Sequence, residues 1–143
     1  MMRLNNKGQS LILFIIFLPV LLGIMALVID VGNALSKKHE QDNVIELVLN
    51  YGLKNSEVFY SNNDEYYYNE ELINWKDDLK ILLDYNLKTS ENGLNLEDKK
   101  INIQSETYVE GIFSNILNIK GFKIESEYVG YIENDEKIVK KIK

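Results

Sequence analysis

Cysteine is absent from this 143-residue chain, and proline, histidine and tryptophan each occur once. Without cysteine there is neither a disulfide framework nor a thiolate-bound zinc site. The single histidine, His39, stands among charged residues with no second histidine to share a metal, and reads as an exposed side chain. No glycine-rich phosphate loop, no G-x-S-x-G elbow and no H-E-x-x-H pair occurs. The carboxylates fall on helix faces and loops, where solvated charge is the ordinary state, and no two of them suggest an acid and base pair. The sequence therefore offers no catalytic residue, no metal ligand set and no cofactor site. An enzyme is not expected.

Positive charge is scarce as well, and confined. Residues 1–39 hold Arg3, Lys7, Lys37 and Lys38 against Asp30, a net of +3, while the remainder nets −9. An acidic domain behind a basic-flanked segment lacks the positive footprint that nucleic-acid binding needs.

What the chain does have is a long apolar run. From Leu11 to Ile29 no residue is charged. As a helix this stretch is roughly 28 Å long, close to the hydrocarbon thickness of a bilayer. About 100 residues remain for a folded part, too few to surround a helix that is apolar on every side. A membrane span is the better reading. Pro19 removes one helical hydrogen bond and predicts a kink near the middle, which membrane helices tolerate. Arg3, Lys7 and the terminal amine precede the run without an acid among them, whereas Lys37 and Lys38 follow it. The positive-inside rule then places the N-terminus in the cytoplasm and the remainder outside, as a single-pass protein of the cytoplasmic membrane. Asp30 falls where the helix leaves the bilayer. Two readings stand: an interfacial carboxylate reached by water, or a charge partner for a basic group on a neighbouring subunit.

The same stretch admits three fates. A secretory signal has an apolar region of about 7–15 residues and a small-residue cleavage site. Here the run is longer, although Gly32-Asn33-Ala34 offers a site before Leu35. A permanent signal anchor fits length and flanks. The third fate comes from the order Lys7-Gly8-Gln9, Phe14, Leu18-Pro19-Val20, Gly23 and Asp30-Val31-Gly32, followed by Gln41-Asp42-Asn43. This order resembles the N-terminus of the TadE/TadG-like family of the Flp (tight adherence) pilus system, small pilin-like single-pass membrane proteins. The resemblance implies other pilin-like subunits, an inner-membrane assembly platform and a prepilin peptidase as partners, besides membrane lipid. In TadE-like members and pilins that peptidase cuts after a glycine, and a glutamate stands at the fifth mature position. Gly8 and Gln9 are the matching candidate processing site, but the fifth position counted from Gln9 is Leu13. That departure favours a TadG-like or unprocessed anchor over a filament subunit.

Beyond Gly32 the pattern stays helical, with Leu35, Val44, Ile45, Val48, Leu49 and Leu53 at three-to-four spacing and a stop at Asn55-Ser56. The polar loop that follows contains Tyr66, Tyr67 and Tyr68, which either cover an edge of the fold or form a partner surface. Leu72, Trp75, Leu79, Leu82, Leu83 and Leu87 predict an amphipathic helix, with Asn69 able to cap it and Glu70 and Glu71 in its first turn. Asn92-Gly93 marks a turn. Period-two alternation predicts strands over 101–109 and 122–132, with a short helical turn around Ile112, Phe113, Ile116 and Leu117 between them. The strand, turn, strand order also resembles the C-terminal part of the family. The charged tail ENDEKIVKKIK reads as frayed.

The expected architecture is α+β: a membrane helix continuing as an amphipathic stalk, one further helix, and a small antiparallel β element near the C-terminus. Its segments are a cytoplasmic start (1–10), a transmembrane helix (11–29), a stalk (30–56) and an extracytoplasmic domain (57–143). The expected function is a membrane-anchored component of a Flp-type pilus or related secretion apparatus. A signal-anchored or secreted binding module, contacting a ligand through the tyrosine loop, is the alternative.

Overall fold

A computed structural model describes residues 6–55, 70–114 and 120–143. The apolar run and the stalk form one continuous helix, α1 (Asn6–Lys54), which passes through Pro19 without a break in helical structure. The second helix, α2 (Glu70–Asn86), occupies the predicted amphipathic segment. Four strands follow: β1 (Glu91–Glu97), β2 (Lys100–Val109), β3 (Phe122–Glu133) and β4 (Glu136–Lys141). They pair in sequence order into one antiparallel sheet. The architecture is thus the expected α+β arrangement, with a sheet of four strands rather than two. Asn69 and Tyr66 to Tyr68 lie outside the described residues, as do Ile116 and Leu117 of the expected helical turn.

Two tight turns set the register. Asp98 and Lys99 have φ of 49° and 58°, and Asn134 and Asp135 have φ of 52° and 63°. Two successive left-handed residues are the requirement of a type I′ hairpin turn, whose twist suits the flanking strands. The Glu97↔Lys100 and Glu133↔Glu136 pairs close these hairpins. Since side chains alternate, this register turns Leu94, Ile101, Ile103, Ser105, Ile124, Ser126 and Tyr128 to one face, and all are buried. Glutamates 91, 106, 125 and 127 fall on the opposite face.

Both helices cover the buried face. Ile45, Val48, Leu49 and Leu53 of α1 meet Trp75, Leu79 and Leu83 of α2, together with Leu87 just past it, in one core with Leu94, Ile101, Ile103 and Tyr128. Each such leucine, fully removed from water, contributes about 1.5–3 kcal/mol. Two glycines permit the close approach. A β-carbon on Gly130 would lie 3.0 Å from Leu49 Cδ2, and one on Gly52 would lie 3.0 Å from Leu79 Cδ1. The distal part of α1 is therefore the central helix of the fold.

Two sequence expectations are corrected. Asn92-Gly93 is not a turn but lies within β1. Asn92 instead ties three elements: its Nδ2 donates to Asp84 Oδ1 (2.9 Å) and to the Leu87 carbonyl (3.2 Å), and its Oδ1 accepts from Ser105 Oγ (2.6 Å). The charged tail is not frayed. Its residues form β4 against β3, and the pairing runs on as the Ile142 amide donates to the Glu127 carbonyl at 2.8 Å.

Candidate functional site

The proximal part of α1 has the shape of a solitary span. At about 1.5 Å per residue its 49 residues extend roughly 74 Å, and the side chains from Ser10 to Met25 are all exposed. Phe14 is 60% exposed, and Gly8, Gly23 and Gly32 each face open space where a β-carbon would meet nothing within 4 Å. An apolar surface of this extent, all the way round a helix, is stable in water only if something apolar covers it. Helix length and composition qualify it as a candidate membrane span.

Coverage by the fold begins at Ala26 and Leu27, which are partly buried, and is complete at Asp30, which is 2% exposed. Neither sequence reading of Asp30 describes its position, because it is neither open to water nor free for another subunit. Its Oδ1 accepts the amide of Ile112 at 3.0 Å, and its Oδ2 accepts those of Phe113 (2.9 Å) and Ser114 (2.6 Å). Three successive amides around one carboxylate form an anion nest, in which charged hydrogen bonds offset the desolvation of the acid. Gly111 is part of the same fit. A β-carbon there would collide with Ser114 Oγ and approach Asp30 Oδ2 to 2.8 Å.

About three turns further on, a second polar contact joins the helix to the sheet. Asp42, 8% exposed, accepts Ser126 Oγ at 2.6 Å and Lys141 Nζ at 2.5 Å. Lys38, one turn earlier, donates to that same Ser126 hydroxyl (3.0 Å) and to the Glu125 carbonyl. Burial works to raise the Asp42 carboxyl, but hydrogen bonds from Lys141 and Ser126 and the charge of Lys38 outweigh it and hold the group below the usual carboxylate range. On the outer face of the sheet, Lys123 and Lys143 bring the Glu125 carboxyl down to about 2. Between the two polar contacts lies Gln41, fully buried, whose carboxamide has no hydrogen-bond partner among the described residues.

The arrangement holds a rod against a sheet. Among the described residues no group of three or more His, Cys, Asp or Glu gathers where a metal could bind. His39 is exposed. Residues 8–47 match the family model of putative Flp pilus-assembly TadE/G-like proteins. The matched segment takes in the apolar run, Asp30, Lys38 and Asp42, and stops within the helix that builds the core. No curated protein and no solved structure matches the chain. The TadE/G-like match supports a role related to Flp pilus assembly, in a family that is structural and not enzymatic. With the length and composition of α1, the match suggests membrane anchoring.

The sequence found the long apolar helix but missed the seam. Gly8, Phe14, Pro19, Gly23, Asp30 and Gly32 all lie on α1, and only Asp30 is engaged with the rest of the fold. Lys38, Ser126, Lys141 and the amides of 112–114 carried no signal that sequence reasoning could use. Only the polar step Gln41-Asp42-Asn43 had hinted at part of it.

Proposed function

We propose that this chain is a membrane-anchored, pilin-like structural or assembly component of a Flp-type pilus or related secretion apparatus. The observation that carries this reading is the TadE/G-like match over the apolar helix and the start of its stalk. Arg3 and Lys7 hold the N-terminus on the cytoplasmic side, α1 crosses the bilayer once between residues 11 and 29, and the remaining fold stands outside. Phe14, Pro19, Gly23 and Gly32 face lipid or neighbouring pilin-like subunits, and the small residues leave room for a close helix approach. Gly8 and Gln9 lie on the side where a prepilin peptidase works. The tyrosines 66–68 serve as a surface for an assembly partner.

One structural feature argues against removal of the segment as an ordinary signal peptide. Cleavage before Leu35 would strip away Asp30 and Ala34, both buried in the folded protein. A cleaved signal contributes nothing to the mature fold, whereas Asp30 holds the amides of Ile112, Phe113 and Ser114 just past β2. A permanent anchor, or a cut near Gly8 that leaves the helix whole, agrees with this.

The experiment is the intact mass and N-terminal sequence of the protein from membrane and medium fractions. An uncut start in membranes fits a TadG-like anchor, and a start at Gln9 fits a processed minor pilin despite Leu13. A start at Leu35 in the medium overturns the proposal.

A further inference from the structure

The direction of the sheet relative to α1 fixes which end of the folded part meets the membrane. Leu49 lies against Gly130 of β3, and Asp30 lies against the 112–114 turn that precedes β3. From Asp30 to Leu49 the helix rises about 28 Å, and from Phe122 to Gly130 the strand rises about 26 Å. Helix and strand therefore run side by side in the same direction. The Val109↔Phe122 end of the sheet stands level with Asp30, and the hairpin turns at 98–99 and 134–135 stand at the far end.

Asp30 is also the first charge after the apolar run, which alone is as long as the hydrocarbon layer is thick. The headgroup region extends only about 5–7 Å beyond that layer. The 112–114 amides, within 3.0 Å of the Asp30 carboxylate, thus lie in the headgroup region. Coverage of α1 reaches one turn lower still, to Ala26 and Leu27 inside the apolar run. Among the described residues this level displays exposed apolar surface: Ile112 is 70% exposed, Tyr108 at the same end of β2 is 55% exposed, and Phe113 is half-buried.

We infer that the end of the fold bearing Tyr108, Ile112 and Phe113 is a second membrane contact, a foot that rests in the lipid headgroup layer beside the helix. The inference rests on the reading of residues 11–29 as a membrane span. Its occupant is the lipid surface, because the foot is continuous with the span and held to it by the Asp30 nest. An isoleucine gains by entering the interface, and tyrosine and phenylalanine are at home there. The flanking charges Glu110 and Lys120 are both exposed and cancel, and Lys123, opposite Tyr108, is paired with Glu106 and Glu125. The contact is therefore apolar and does not depend on anionic lipid or on salt. Its consequence is mechanical: a span alone lets the exported part tilt and swivel, whereas two adjacent contacts fix its orientation toward neighbouring subunits.

The absence of cysteine makes the test direct. Single-cysteine variants of the full chain, Ile112→Cys, Leu21→Cys and Ile81→Cys, are labelled with a polarity-sensitive fluorophore and reconstituted into phosphatidylcholine vesicles containing nitroxide-labelled lipids. All three positions are exposed in the protein, so folding is retained, and Trp75 emission verifies it. The expected result is strong quenching at position 21 by deep nitroxide, blue-shifted emission and quenching at 112 by headgroup-proximal nitroxide, and neither effect at 81. The 112 signal stays the same when a third of the lipid is made anionic. Quenching at 21 with a water-like signal at 112 overturns the foot and leaves the span standing. No quenching at 21 overturns the span and the foot with it.

Discussion

At Gly52, α1 packs against both α2 and the sheet, and replacing it tests the packing of the core. An alanine in a helix is favoured over glycine by about 0.8–1.0 kcal/mol. Here its β-carbon meets Leu79 Cδ1 at 3.0 Å, Leu79 Cδ2 at 3.3 Å and Ile101 Cδ1 at 3.2 Å. Leu79 and Ile101 are themselves buried and come from two different elements, so neither can withdraw without disturbing a second contact. Overpacking of this kind costs about 1–3 kcal/mol. Crowding exceeds propensity, and Gly52→Ala destabilises the fold by about 1 kcal/mol. Leu79→Ala alone costs about 2–5 kcal/mol. In that background the main obstruction is gone, so the same Gly52→Ala change becomes neutral or stabilising by up to about 1 kcal/mol. The coupling between the two sites is then about 1–2 kcal/mol, as expected for residues in contact. The assay is urea unfolding of the full chain in detergent micelles, followed by the emission of Trp75, the single tryptophan and itself a core residue. If Gly52→Ala alone raises stability by the full helix-propensity gain, or if the two changes are additive, α2 does not pack on α1 as described and the reasoning fails.

The Asp30 nest predicts a local effect. In Asp30→Ala, amide exchange at Ile112, Phe113 and Ser114 accelerates while that of the Leu49 region is unchanged, and Asp30→Asn falls between because one of its two oxygens becomes a donor; unchanged exchange at the three amides would show that the carboxylate does not hold the turn. The seam also predicts acid sensitivity. Asp42 and Glu125 both ionise more readily in the folded chain than in the unfolded one, so their contribution is complete above the ordinary carboxylate range and is lost as pH falls through the folded values, about 2 for Glu125. The urea midpoint should therefore drop between about pH 4.5 and 2, and less steeply in Asp42→Asn; an identical slope in that variant would remove Asp42 from the account.

Elements whose signal is local could be read from the residue pattern alone. Nineteen consecutive residues with no charged or hydrogen-bonding side chain make a helix apolar on all sides, so the long apolar helix was readable residue by residue. The leucines 79, 83 and 87 with Trp75 repeat at helical spacing, and residues 101–107 and 124–128 alternate, so α2, β2 and β3 were readable too. β1 was hidden because Asn92-Gly93 has the composition of a turn, and only its bonds to Asp84, Leu87 and Ser105 show why an asparagine belongs in that strand. β4 was hidden because an edge strand rich in lysine has the composition of a solvated tail. The joint between the rod and the sheet exists only in the folded chain. Asp30 bonds to backbone amides at least 82 residues away, and backbone amides are common to every sequence. Asp42 finds Ser126 and Lys141 only after β3 and β4 have paired in register. A side chain's local pattern reports the face it occupies, while its partners across the chain are set by the register of strands that the pattern does not name.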